Sequence, residues 1–202
     1  MQYWIANNTV LEGGSVMLLP LEKEHFQELV QISKDERIWE FYIFDCMETE
    51  RFLQFLQIGL DGRELGIQFP FVIYHKKTQR LIGNTRFWNI NQPHRKLEIG
   101  STWLIPEFWG TEVNLECKLL LLTHCFEVLK TSRVMLRTDE KNIRSQKAIQ
   151  KIGGQYEGII RNDMIRDNQT KRNSAYFGLI EEDWTEIKAN LMALLEVKRV
   201  VK

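Results

Sequence analysis

The segment Glu98-Ile99-Gly100-Ser101-Thr102-Trp103-Leu104-Ile105-Pro106-Glu107-Phe108-Trp109-Gly110-Thr111-Glu112-Val113-Asn114-Leu115-Glu116 carries the strongest chemical signal in the chain. A β-rich run enters a short loop with a Trp109-Gly110 pair, and a leucine-rich helix opens at once. A helix start leaves backbone N–H groups unpaired and presents the positive end of the macrodipole. Such a start suits a phosphate or pyrophosphate; an ordinary strand-to-helix connection has the same pattern. A second segment runs from Val134 to Asn142 and opens a helix with Asn142-Ile143-Arg144-Ser145. Asn142 and Ser145 are three residues apart and share a helix face. They read either as an N-cap with a solvated serine or as two polar groups aimed at a ligand. The four histidines (His25, His75, His94, His124) and three cysteines (Cys46, Cys117, Cys125) have no zinc-ligand spacing, so no metal is expected. Cys117 and His124 lie two helical turns apart, roughly 10 Å. That is too far for a nucleophile–base pair, and both read as packing residues.

The elements that must position these groups follow from the rest of the sequence. Of 202 residues, 44% are apolar, with 11 Phe, 6 Trp and 5 Tyr, enough for a sizeable core. Lys plus Arg and Asp plus Glu both number 27, and the zero net charge argues against a nucleic-acid binder. The odd cysteine count fits a reduced, cytoplasmic protein better than a disulfide framework. The first basic residue is Lys23, so no signal peptide is expected. No run of about 18 apolar residues is present, which predicts no membrane span.

No repeat or Pro/Gly/Ser linker divides the chain, and 1–202 reads as one domain. Val16 to Leu19 predicts a short strand. Helices are expected over Glu24–Lys34 and Thr49–Leu60, flanking an aromatic, acidic connector from Ile38 to Met47. Phe69–Tyr74 and Leu81–Trp88 predict a hairpin, and Lys96–Ile105 a third antiparallel strand. The leucine spacing predicts a long helix from Thr111 to Lys130, buried on most sides. Arg133–Thr138 reads as a strand and Asn142–Ile152 as a helix stopped by Gly153-Gly154. Strands Gln155–Arg161 and Ser174–Ile180 and a helix Trp184–Val197 complete an α+β order.

The chain resembles the GNAT superfamily of acyl-CoA N-acyltransferases, in the branch with the ribosomal-protein alanine N-acetyltransferases. The resemblance spans roughly Gly13 to Asn190. It rests on Glu98-Ile99-Gly100, Trp103, Pro106, Trp109-Gly110, and Asn114, Glu116 and Lys118 with the leucines after them. Further on it rests on Thr138-Asp139, Asn142-x-x-Ser145, Ala148-Ile149, Ile152-Gly153 and Glu157-Gly158. It implies a mixed, mostly antiparallel sheet with a splayed central strand pair and helices on both faces. It also implies acetyl-CoA as co-substrate and an amine acceptor: a protein N-terminus, an amino acid or a small amine. The pantetheine arm would pair with backbone of Trp103, Leu104 and Ile105. The pyrophosphate would lie on the loop Trp109, Gly110, Thr111, Glu112, Val113 and Asn114, and Asn142 would touch the pantetheine or its sheet partners. The family's loop Gln/Arg-x-x-Gly-x-Gly/Ala reads Trp109, Glu112 and Asn114 here. Its phosphate-loop glycines are absent, and Glu112 brings a carboxylate that either meets the pyrophosphate or points outward along the helix dipole.

Amine acetylation needs a proton acceptor, an oxyanion donor and a donor to the departing thiolate. On this resemblance Glu98 takes the amine proton, with a half-exposed surface carboxylate as the alternative. Leu104 N–H supplies the oxyanion contact. Ser145 protonates the thiolate, because the family's tyrosine position is Ile149 here; Tyr156 is a distant alternative. Trp39, Tyr42, Phe71 and Arg86 are candidate substrate-wall residues, with Phe41 and Asp45 beside them, although most of the aromatics read equally as core. Asp45 or Glu48 offers charge to a cationic amine. A non-catalytic CoA or acyl-CoA sensor is the competing reading, and exposed strand edges leave a homodimer open.

Overall fold

The apolar runs sort into two cores because β-strand side chains alternate between faces. A computed structural model of the protein describes residues 4–44 and 46–200. Strand β1 (Leu11–Glu12) and β2 (Val16–Pro20) lead into α1 (Phe26–Ile32) and α2 (Thr49–Glu64). A meander follows: β3 (Phe69–His75), β4 (Arg80–Asn91) and β5 (Lys96–Leu104). Then come α3 (Val113–Thr123), β6 (Arg133–Asp139), α4 (Ile143–Lys151), β7 (Gln155–Ile165), β8 (Lys171–Ile180) and α5 (Trp184–Val200). The strands form one eight-stranded sheet in the order β1-β2-β3-β4-β5-β6-β8-β7. All pairs are antiparallel except β5 with β6. No helix among the described residues is long and apolar enough to cross a membrane.

One core joins Phe69, Phe71 and Ile73 of β3 to Leu121 and Leu122 of α3, Ile149 of α4 and Leu191 of α5. The other joins Val72 of β3 and Trp103 of β5 to Leu29 of α1 and Phe52, Phe55 and Leu56 of α2. Helices therefore cover both faces, α1 and α2 on one and α3 to α5 on the other.

The leucine-rich helix is shorter than its periodicity predicts. Its N-cap is Glu112, and just ahead of it the Thr111 hydroxyl oxygen accepts from Val113 N at 3.3 Å while its O–H donates to Phe108 O at 2.8 Å. Past Thr123 the chain widens into a π turn over His124–Val128, closed by Leu129 N to His124 O at 2.9 Å. That turn keeps Cys125 and Phe126 both inward. The last hairpin is longer than expected, because β7 runs on to Ile165 and β8 starts at Lys171. The polar residues in those extensions break the apolar alternation by which strands are recognised. The two-residue β1 carries too little pattern to be read at all.

Glu116, one turn into α3, is 3% exposed. It accepts from Gly14 N at 2.5 Å, from Ser15 N at 3.1 Å, from the Ser15 hydroxyl, and from Arg199 Nη2 at 2.9 Å. One carboxylate thus ties the β1–β2 turn, α3 and α5 together. Replacing Glu116 by Ala strands those donors and is expected to cost about 3 kcal/mol. Arg199→Ala, at a half-exposed position, is expected to cost under ~1 kcal/mol. Urea unfolding of both variants checks the ranking, and equal losses would show that Glu116 is not the hub.

Candidate active site

Strands β5 and β6 pair at only Lys96↔Arg133, Leu97↔Val134 and Glu98↔Met135. Beyond Glu98, β5 continues against β4 alone, while β6 stays with β8 as far as Asp139. A bulge accompanies the parting. Ser101 sits at φ +47°, and the β4–β5 register slips between Asn84 and Arg86. Ile105 N donates to Ile82 O at 2.9 Å across β4. By the alternation of strand backbone groups, those of Leu104 face the gap.

The gap's rim is the start of α3. Leu104 O accepts from Trp109 Nε1 at 2.8 Å. The Trp109 ring lies between the guanidinium of Arg144, 4.2 Å from its centroid, and that of Arg37 at 5.7 Å. Gly110 has φ +72°, a conformation costly for other residues, and a Cβ there would meet nothing within 4 Å. Its carbonyl accepts from Lys198 Nζ at 2.6 Å, reaching over from α5. The first α-helical bond is Glu116 N to Glu112 O, so the N–H groups of Val113, Asn114 and Leu115 lie ahead of the ladder. Open backbone edge, open loop and helix start fit a pantetheine pyrophosphate. The Glu112 carboxylate does not point out to solvent; the residue is 6% exposed. Trp103 and Leu104 send their side chains into opposite cores, and Ile105 is partly buried. Across the gap, Asn142 caps α4, its Oδ1 accepting from Ser145 N at 3.0 Å. Ser145 is half-buried, and Ile149, one turn on, is buried in the core.

On the α1/α2 face of the same fork lies a charged network. Glu98 is 4% exposed, deeper than a surface carboxylate. Its Oε1 accepts from Arg137 Nε at 2.9 Å and its Oε2 from Asn89 Nδ2 at 2.9 Å. Arg137 Nη1 also reaches Tyr176 Oη at 3.2 Å and Asp163 Oδ2 at 3.4 Å, and the Tyr176 hydroxyl donates to Asp163 Oδ1 at 3.2 Å. Burial pushes the Glu98 carboxyl above its ordinary value, against the opposing pull of Arg137 and Asn89. Burial likewise raises the Tyr176 hydroxyl. Arg137, Asp163 and Tyr176 escaped the sequence reading. The available signal was that Arg137 and Tyr176 alternate with core residues while being polar, as inward-facing functional residues do.

Of the candidate wall residues, Trp39 and Tyr42 meet edge to face on the α1/α2 face at 4.9 Å between centroids, and Trp39 packs on Trp103 at 5.5 Å. Arg86 is on that face too, fully buried. Phe71 is not brought together with them. It is buried on the α3 face against Phe69 at 4.8 Å and Phe87 at 5.5 Å. Asp45 lies outside the described residues.

A sheet that opens after three parallel registers, with a helix start at its mouth, is the arrangement that the resemblance to acyl-CoA N-acyltransferases implies. The chain matches the family model described as "Acetyltransferase (GNAT) domain" over residues 15–155. It therefore belongs to the GNAT acetyltransferase family and is an acetyltransferase. Among its relatives, the Bacillus subtilis (strain 168) protein named "Putative ribosomal N-acetyltransferase YdaF" is 25% identical over 177 residues, covering 83% of this chain and 91% of that one. A crystal structure from T. thermophilus, described as a "putative acetyltransferase", is 30% identical with a TM-score of 0.84, covering 95% and 99% of the two chains. Mycobacterium smegmatis RimJ, solved in complex with CoA-disulfide, shares the fold at 17% identity with a TM-score of 0.78, over 92% and 93%.

Beneath the bulge, Lys118 of α3 is 6% exposed, and its Nζ donates to Thr102 Oγ1 at 3.1 Å, which meets Thr85 Oγ1 at 2.8 Å. Burial lowers its ammonium from 10.5 to about 8. Between those values the unfolded chain holds a proton that the folded chain has released, so stability rises with pH. The expected rise is up to about 3 kcal/mol. Lys118→Met should abolish it, and chemical denaturation at pH 7.5 to 10 reads the difference. A variant that keeps the rise would assign it elsewhere.

Proposed function

We propose that the chain transfers the acetyl group of acetyl-CoA to a primary amine by direct attack within a ternary complex. The observation that carries this reading is the parting of β5 from β6 beyond Glu98, with Leu104 backbone facing the gap and a buried carboxylate at the fork. The RimJ neighbour's complex with CoA-disulfide lends it support. The thioester arm would run along Trp103, Leu104 and Ile105 and past Asn142. The pyrophosphate would meet Trp109 to Asn114. Glu98, directly or through water, takes a proton from the acceptor ammonium. The amine nitrogen then bonds to the thioester carbon while Leu104 N–H steadies the oxygen. The C–S bond breaks, Ser145 Oγ–H protonates the thiolate, and the second proton leaving the acylated nitrogen returns to Ser145, directly or through water. Positioning does much of the work, because the thioester is already activated.

The acceptor side is the α1/α2 face, where Tyr42 and Arg86 both pack on Phe55 and Trp39 packs on Tyr42. YdaF is named a putative ribosomal N-acetyltransferase; a protein N-terminus, an amino acid or a small amine each suits the chemistry proposed for this chain. We take the chain to act as one domain, in the cytoplasm, where its three buried cysteines stay reduced. The outer strand β7 exposes Ile159 and Ile160, an edge that a second copy could pair with. A non-catalytic CoA sensor is the second reading, favoured by the buried Glu112 in the loop and by Ile149 at the tyrosine position. Calorimetry with acetyl-CoA, combined with thiol release over an amine panel, separates the two. Binding with release supports transfer, binding without release supports the sensor, and no binding overturns both.

Glu98→Gln should lower kcat by about 10²-fold near neutral pH, with acetyl-CoA affinity unchanged. In Arg137→Met the cation opposing the burial shift is gone, so the Glu98 carboxyl rises further. The deprotonated form is the active base, so the rising limb of kcat/KM should move to higher pH. A limb left in place would remove Glu98 from the reaction. Glu112→Gly should tighten acetyl-CoA binding by about 1 kcal/mol, because the carboxylate competes with the pyrophosphate for the helix start. Weaker binding on calorimetry would assign Glu112 a supporting role in the loop.

A further inference from the structure

Among the described residues, Trp109 and Ile105 are the partly buried apolar side chains that pack against both cores. The paired sheet separates those cores, so a ring that reaches both stands where the pairing has stopped. Hydrogen bonding fixes its place more closely. Leu104 stands opposite Gly83, and the adjoining bond runs from Ile105 N to Ile82 O. Backbone groups alternate in direction along an antiparallel strand, so the Leu104 N–H and C=O turn away from β4, toward β6. The Trp109 indole N–H donates to that carbonyl at 2.8 Å. A donor that meets Leu104 O from this side lies between β5 and β6. The two guanidinium groups beside the ring also come from opposite faces of the sheet. Arg144, at 4.2 Å from the centroid, belongs to α4 on the α3 face. Arg37, at 5.7 Å, belongs to the turn Glu36–Ile38, whose Ile38 packs into the α1/α2 core. The indole thus fills part of the strand opening.

In the acetyl-transfer reading the thioester arm pairs with the backbone of Trp103, Leu104 and Ile105. A pantetheine amide N–H and the indole N–H then compete for one carbonyl in one gap. The ring is held lightly. One neutral hydrogen bond contributes little net stability, and both arginines are exposed, where a cation–π contact is weak. Trp109 is itself only partly buried, which leaves its side chain a path outward. A ligand shifts such an equilibrium only by binding one form better. The arm does so by replacing the indole on Leu104 O. Arg144 adds to it: it forms no ion pair among the described residues, so when the ring withdraws its guanidinium is available to a phosphate on the neighbouring loop.

We propose that Trp109 is a self-inhibitory plug: in the unliganded chain its indole occupies the strand opening on the Leu104 carbonyl, and CoA or its thioesters bind as the indole swings out and yields that carbonyl to the pantetheine amide. The proposal rests on the acetyl-CoA reading for the ligand and on the contacts of the indole for the plug. Free CoA is the probe, because it binds without turnover. When a ligand needs a minor open form, the closed form weakens apparent affinity through the association rate and leaves dissociation alone. Trp109→Leu is therefore expected to bind CoA about tenfold more tightly by calorimetry, with the gain in the association rate by stopped flow. Trp109→Phe, which keeps a ring if the leucine variant fails to fold, should gain about threefold by the same route. In protein labelled with 5-fluorotryptophan, the resonance missing from Trp109→Phe is that of Trp109. CoA should move it and give it the solvent isotope shift of an exposed indole. CoA binding by Trp109→Leu and not by the wild-type chain supports the plug in its strongest form. Weaker CoA binding by both variants, or a Trp109 resonance that CoA leaves in place, overturns the plug and leaves the acetyl-CoA reading standing. CoA binding by neither the wild-type chain nor the variants overturns both.

Discussion

The site depends on a failure of pairing. After Glu98 and Met135, β5 and β6 give up the hydrogen bonds that a parallel ladder would supply. Unpaired strand backbone is normally a liability, because each N–H and C=O demands a partner. Here the cost is partly met inside the molecule: Trp109 takes up the Leu104 carbonyl, and the Ser101 bulge turns β5 away from β6. The opening is therefore built by the backbone and held by one indole, with no large apolar cavity needed. Its position also places Glu98, the last paired residue, at the point where the two sides of the reaction would meet.

The two faces of the sheet solve different problems at that fork. The α3 face is mostly apolar, with Glu112, Glu116 and Lys118 among its buried charged residues. The α1/α2 face carries the Arg137–Glu98–Asp163–Tyr176 network and the buried Arg86. Desolvated charge of that kind is rarely retained for stability alone. Concentrated on one face beside the strand opening, it would suit the proton-handling side of the proposed reaction.

Much of the fold was legible from periodicity. The meander from Phe69 to Leu104, the leucine-rich helix and the glycine stop after Ile152 follow from local pattern, and local pattern survives in the folded chain. The fork was reached by resemblance, since nothing local marks the residue at which a parallel ladder ends. Phe71 illustrates the limit. Phe69-Pro70-Phe71-Val72 is apolar on both faces, so alternation does not say which face each residue takes. Arg137, Asp163 and Tyr176 come from three strands brought side by side by long-range pairing, and their mutual contact has no trace in sequence spacing. The burial of Glu112 was equally hidden, because a carboxylate in a first helical turn usually faces water.

Glu116 links the two ends of the chain. The turn at Gly14 and Ser15, and Arg199 near the close of α5, both fasten to this carboxylate within one turn of the loop that begins at Trp109. Lys198 grips Gly110 in that loop directly. Tension carried by the β1–β2 turn or by α5 would thus reach the mouth of the strand opening through Glu116 and Lys198.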